Sequence, residues 1–234
     1  MAERILAIGD IHGCNSALDA LLDVVQPIGG DTIVVLGDVV DRGPDTRACI
    51  ERLLAVSRSV ELIHLMGNHE EMMLDSATEG NWLDDWLSYG GIETLQSYGR
   101  PPRFENVPET HWEFLRSGLD LFETDHEVFV HSNLEPKIPR EDQVPEWLRW
   151  QRLRGDERPD WSGKRVICGH TSLPNGVPGI LDGWVNIDTW CYGGKWLTCL
   201  DVTTDTVWQA NQAGEARGPA PLTEIAVHYR PRRS

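Results

Sequence analysis

The chain has 234 residues, an apolar fraction of 40% and a formal net charge of −16. That length and composition fit one sizeable globular α/β domain with insertions, and no apolar run is long enough to span a bilayer. So acidic a surface repels nucleic acid and anionic membrane, since both are bound through basic patches.

The first strand is predicted at Arg4-Ile5-Leu6-Ala7-Ile8-Gly9. The N-terminus runs straight into it without the basic start, apolar stretch and cleavage site of a signal peptide, so a cytoplasmic protein is expected. The strand ends in Gly9-Asp10-Ile11-His12-Gly13. Asn15 reads as an N-cap, and Leu18, Leu21, Leu22 and Val25 recur at helical spacing until Pro27. A second strand, residues 32–36, ends in Gly37-Asp38-Val39-Val40-Asp41-Arg42-Gly43. Pro44 and Asp45 open another helix, with Ile50, Leu53 and Leu54 on one face. A third strand, residues 60–65, ends in Gly67-Asn68-His69-Glu70 and a further helix with two acids in its first turn. Such βαβαβα alternation with short connections predicts a parallel sheet flanked by helices.

Residues 76–125 are rich in tryptophan and acids at helical spacing. They read as a helical cap inserted over the sheet edge. Strands are predicted again at 127–130, leading to His131, and at 165–168, leading to Gly169-His170. Further strands near 184–188, 195–202 and 206–211 complete what reads as a second, mostly antiparallel sheet. A domain of residues 1–213 is expected, followed by a loose tail over 214–234 that ends in Arg230-Pro231-Arg232-Arg233. Five cysteines, an odd number with no CxxC pair, read as reduced buried thiols.

The residues just past these strand ends carry the chemistry. All are oxygen or imidazole donors, a mixture that suits manganese, iron(II) or zinc. We expect Asp10 and His12 to approach one ion, and Asn68, His131 and His170 a second. Asp38 lies between and bridges, as in two-metal phosphoesterases. Water held by both ions becomes a nucleophile near neutral pH, and the planar fork of Arg42 can grip two phosphate oxygens. His69 follows a ligand in sequence and should point toward substrate as a general acid, with Asp41 fixing its tautomer. Alone, Asp10 or Asn68 would be an ordinary turn or cap residue, and His131 a satisfied core histidine; all of them falling at strand ends argues for a site. His64, His111, His126 and His228 lack such context and are read as structural or surface residues. Glu70-Glu71 and Asp84-Asp85 read as helix starts or solvated faces.

The three segments around Asp10, Asp38 and Asn68 resemble the GDxHG, GDxxDRG and GNHE signatures of the phosphoprotein phosphatase (PPP) branch of the calcineurin-like metallophosphoesterases. His131 and Gly169-His170 match that family's trailing ligand histidines. The stretch Trp147-Leu148-Arg149-Trp150-Gln151-Arg152 is similar to one that carries a second phosphate-gripping arginine in bacterial members, which implies Arg152 in that role. Asn186-Ile187-Asp188-Thr189 resembles a late strand of the same group. Met66 stands where some relatives carry arginine, and Ser132-Asn133 where small residues are common.

The resemblance covers roughly residues 4–211. It implies a four-layer α/β/β/α sandwich with two divalent ions at its edge, usually manganese. The expected activity is a phosphatase for phosphoserine and phosphothreonine in proteins and for small monoesters. The alternative within the family is hydrolysis of diadenosine tetraphosphate or related nucleotides; those relatives often carry aspartate in place of Glu70. A non-catalytic module on this fold would have a broken ligand set, and this one is complete. A nuclease is disfavoured by the acidic charge and by Arg42, which suits a terminal phosphate.

Overall fold

The computed structural model describes residues 3–229. In chain order the elements are β1 (Ile5–Ile8), α1 (Asn15–Val25), β2 (Thr32–Val35), α2 (Thr46–Val56), β3 (Glu61–His64) and α3 (Asn68–Thr78). Then come α4 (Leu83–Trp86), α5 (Ile92–Tyr98), α6 (Glu109–Arg116), β4 (Leu121–Glu123), β5 (Glu127–Val130), α7 (Pro145–Trp150) and β6 (Arg165–Cys168). The last are β7 (Gly179–Leu181), β8 (Trp184–Asn186), β9 (Leu197–Asp201), β10 (Thr206–Ala210), β11 (Ala216–Pro221), α8 (Leu222–Ile225) and β12 (Val227–His228).

Two six-stranded sheets form, in the orders β11-β10-β9-β1-β2-β3 and β12-β7-β8-β6-β5-β4. The alternation of side chains along a strand explains how they stack. Leu6 and Ile8, like Ile33 and Val35, face the helices α1 and α2. Ala7, Val34 and Leu36 face the other way and meet Phe129, Ile167 and Val185 of the second sheet. Val128, Val130 and Val166 pack outward under Leu148 of α7, Leu134 and Leu153. The expected four-layer order therefore holds, with a thin outer layer on the second sheet.

Sheet membership differs from the sequence expectation. β9 and β10 belong to the first sheet, where β9 pairs antiparallel with β1. The second sheet is mixed, because β5, β6 and β8 run parallel. Local alternation signals a strand but not its partner, which long-range packing chooses.

The 76–125 segment is helical as far as Arg116, but α5 packs on α2, and α6 on α2 and α3, so these helices widen the helical layer. Its last residues form β4, the edge strand beside β5. Cys14, not Asn15, caps α1; Asn15 is already helical and its amide donates to Asp19. The loose tail expected from Gly214 is instead ordered over β11, α8 and β12, which pair with β10 and β7. Its basic end at 230–234 lies outside the described residues. Among the described residues no helix is long and apolar enough to cross a membrane.

Candidate active site

The strands that carry the motifs run parallel within each sheet, so their carboxyl ends gather at one edge, where ligands bind in α/β sheets. β1, β2 and β3 deliver Asp10 and His12, Asp38 and Asp41, and Asn68; β5 and β6 deliver His131 and His170. Asp10, His12, Asp38, Asp41, Asn68, His69 and His131 are buried, Arg42 and His170 are half-buried, and Arg152 is exposed.

The backbone here is strained. Of eight non-glycine residues with positive φ among the described residues, five are His12, Asp38, Asp41, Arg42 and His170. Each such residue costs on the order of 1–3 kcal/mol and persists only where its surroundings enforce it, most often at functional sites.

Glu70 does much of the enforcing. Its buried carboxylate accepts the backbone N–H groups of Asp38 (2.8 Å), Val39 (2.8 Å), Val40 (3.2 Å) and Gly67 (3.0 Å). Burial and the nearby charge of Asp38 push this carboxyl up to about 7 against those donors. The sequence expectation of a plain helix start missed this role. An acid at the third position of a helix is an ordinary capping residue, and only its partners across the loop reveal more. A side chain on Gly67 would collide with the Asp38 carboxylate.

Two donor groups share Asp38: His12, Asp38 and His69, and Asp38, His131 and His170. His12 Nδ1–H donates to the Val40 carbonyl (2.9 Å) and His131 Nδ1–H to that of Leu36 (2.8 Å). Each therefore turns its Nε2 acceptor inward, 3.4 Å from an Asp38 oxygen, and that of His12 accepts from Arg42. The Asn68 carbonyl oxygen lies 3.2 Å from His131 Nε2. His170 Nε2–H donates to the Trp150 carbonyl (3.1 Å), leaving Nδ1 as its acceptor. Lone pairs facing one another at these distances repel unless a cation lies among them, so the donor set fits divalent ions of borderline softness. The backbone carbonyls that fix each ring are the supports metal-binding histidines use.

Burial alone would raise the Asp38 carboxyl, but four imidazoles, His131 foremost, hold it far below the carboxylate range. Asp10 lies outside both compact groups, and its carboxylate accepts the His170 backbone N–H at 3.0 and 3.2 Å. Burial, then the charges of Asp188 and Asp38, push it well above the usual range. Asp188 is a buried acid for which no role was predicted; it accepts from Ser172 Oγ at 2.7 Å.

His69 Nδ1 lies 2.7 Å from Asp41 Oδ2, the pairing expected for an oriented acid. Asp41 also accepts from Trp86 Nε1 (2.9 Å) and Thr94 Oγ1 (2.8 Å), two residues of the inserted helices that sequence gave no reason to connect with the site. Burial alone would push the His69 imidazole down; the charge of Asp38 and the bond to Asp41 outweigh it and raise it.

Above the donors is a cleft of about 250 Å³ lined by Arg42, Arg152, Trp82, Tyr89, Trp150 and Tyr192. The Arg42 guanidinium lies 4.4 Å over the Tyr192 ring and donates to His12 Nε2 at 2.8 Å. Trp82 stacks on Trp150 with ring centroids 5.8 Å apart. Trp150 is anchored by Glu71, which accepts its indole N–H at 2.6 Å and Arg149 at 2.9 Å.

The calcineurin-like phosphoesterase family matches residues 3–195. The chain belongs to that family. A symmetrical bis(5'-nucleosyl)-tetraphosphatase of Acidovorax sp. (strain JS42) is 39% identical over 193 residues, 82% of this chain and 49% of that relative. The chain thus spans about half the length of that curated relative. Serine/threonine-protein phosphatase 1 of Salmonella typhimurium is 39% identical over 94 residues, 38% of this chain and 39% of its own. A crystal structure described as a candidate diadenosine tetraphosphatase superposes with a TM-score of 0.68 at 18% identity, covering 90% of this chain and 94% of that one.

Proposed function

We propose that the protein hydrolyses dinucleoside polyphosphates at a paired-ion centre, with protein phosphoserine and phosphothreonine as the second reading. The observation that carries this is the cleft itself. Two arginines, Arg42 and Arg152, share it with the aromatic side chains of Trp82, Tyr89, Trp150 and Tyr192, a lining suited to phosphates attached to flat bases. The named tetraphosphatase relative supports the same choice over the greater length of the chain. The feature that favoured a protein phosphatase was Glu70, and Glu70 faces backbone N–H groups instead of the cleft. Its identity therefore carries no information about substrate.

In this reading Asp10 and His12 would hold one ion, Asn68, His131 and His170 the other, with Asp38 between them; manganese is the first choice of metal. When bound, the ions supply positive charge that lowers the pKa of water and neutralises phosphoryl oxygens. Arg42, fixed over Tyr192, holds the phosphate by its planar fork, and Arg152 lines the same cleft. His69, whose imidazole Asp38 and Asp41 raise against burial, gives its proton to the leaving oxygen, and Asp41 holds the ring in place. A phosphoanhydride releases a phosphate oxygen that needs this proton less than an alkoxide does.

Turnover of diadenosine tetraphosphate and of a phosphothreonine peptide, each with manganese, tests the reading. The dinucleotide should be cleaved at least tenfold more efficiently. A faster peptide would reverse the order of the two readings.

A further inference from the structure

The cleft over the donors, at about 250 Å³, falls below the ~300–1,000 Å³ usual for ligand pockets. That volume suits a phosphate chain but is small for a whole dinucleotide. A second cavity of about 450 Å³ adjoins it, and Arg42, Tyr89 and Tyr192 line both. The remaining wall comes from the turn after α4 and the start of α5, including Leu87, Ser88 and Glu93.

We propose that this second cavity is a subsite for one nucleoside of the substrate, with Tyr89 as its stacking wall and Glu93 as its hydrogen-bond acceptor. The inference rests on the nucleotide reading above and adds where the nucleoside sits and what recognises it.

Three features support it. First, the floor is closely packed. The Arg42 backbone N–H donates to the Gly90 carbonyl at 3.3 Å, and Gly90 (φ +114°) packs so closely on Arg42 that no side chain would fit there. The guanidinium is fixed over Tyr192 at the junction of the two cavities, so a phosphate it holds points its substituent into either one. Second, Tyr89 is 52% exposed and makes no ring contact among the described residues, so its face is open to a flat partner. Third, Glu93 is half-buried in the wall and has no hydrogen bond or ion pair among the described residues. Apart from Arg42, the lining carries no cation. An unpaired carboxylate there rejects a further phosphate or an acidic peptide flank, and accepts the hydroxyls of a ribose or the amine of a base.

Calorimetric titration of the manganese-loaded full chain with AMP and with inorganic phosphate tests the proposal. AMP should bind at least tenfold tighter than phosphate. Glu93→Gln and Tyr89→Ala should each reduce that ratio at least threefold, a comparison that does not depend on the fraction of active protein. Equal affinities for AMP and phosphate, or a ratio unchanged in both variants, would overturn the subsite. Tight AMP binding without hydrolysis of diadenosine tetraphosphate would leave the subsite standing and defeat the nucleotide hydrolase reading instead.

Discussion

Asp41 Oδ2 sits 2.7 Å from His69 Nδ1, and the same carboxylate also accepts from Trp86 Nε1 and Thr94 Oγ1. The aspartate is therefore not free to turn toward the metal donors. It is held where it can orient the imidazole and stabilise its charge, the arrangement that makes a histidine an effective proton donor.

His69→Asn should consequently slow hydrolysis in proportion to how badly the leaving group needs a proton. We expect about 10²–10³-fold loss in kcat on an alkyl phosphate, within the range of general acid catalysis, and under about tenfold on p-nitrophenyl phosphate. Rates on a leaving-group series measure the difference. Equal losses across the series would remove His69 as the acid.

Glu70→Ala should unfold the loop that carries Asp38. It strands four backbone N–H groups now bound by one carboxylate, each costing about 1–3 kcal/mol if left buried and unpaired. Partial rehydration reduces the sum, so we expect a loss of roughly 3 kcal/mol or more, or about 6–12 °C in Tm for a chain of this size. Thermal melting decides; a change below about 2 °C would show that the loop holds without this brace.

Asp38→Asn should abolish paired ion binding, because the one carboxylate shared by both donor groups becomes neutral. Manganese content by elemental analysis should fall from about two ions per chain to one or fewer. Two tightly held ions in that variant would refute the bridging role.

Arg4 and Asp31 make a testable stabilising pair away from the site. Asp31 accepts from Arg4 Nε (3.1 Å) and the Ile28 N–H (2.8 Å), and Arg4 NH2 approaches within 2.5 Å, tying the starts of β1 and β2 together. Burial alone would raise the Asp31 carboxyl; the bonds from Arg4 and Ile28 outweigh it and lower it below 3.8. A carboxyl lowered on folding contributes its stability above its unfolded pKa and loses it as pH falls through the folded value. Asp31→Asn should therefore cost about 1–2 kcal/mol near pH 6, and its Tm deficit should shrink as pH drops below about 4. A deficit that stays constant down to pH 2.5 would mean that charge plays no part.

The donors were legible because each follows a short apolar strand, and Asp10, Asp38, Asn68 and His170 each come directly after a glycine. Asp10, Asp38, Asn68, His131 and His170 could be placed at strand ends from local pattern alone. Glu70, Trp86 and Thr94 could not, since each looks ordinary in its own helix and acquires meaning only from a partner 30 or more residues away, as Glu70 does from Val39 and Val40, Trp86 from Asp41 and Thr94 from Asp41. The sheet of β9 and β10 was misassigned for a related reason. Their alternation is equally compatible with either sheet, and only the pairing of Ala7 with Leu200 chooses the first.

What sequence alone determined is the chemistry: acids, amides and imidazoles at the ends of apolar strands, and an arginine beside them. Those properties are local, set by residue type and by the period of the strand. Tertiary structure decided the rest. It pooled donors from two sheets around Asp38, set Asp10 aside from both groups, and turned Glu70 inward as a brace. It also carried Trp86 of the inserted segment to Asp41 and Tyr89 to the cleft beside Arg42. The physical reason is that a buried charge is tolerable only with partners, and the partners here lie far apart in the chain.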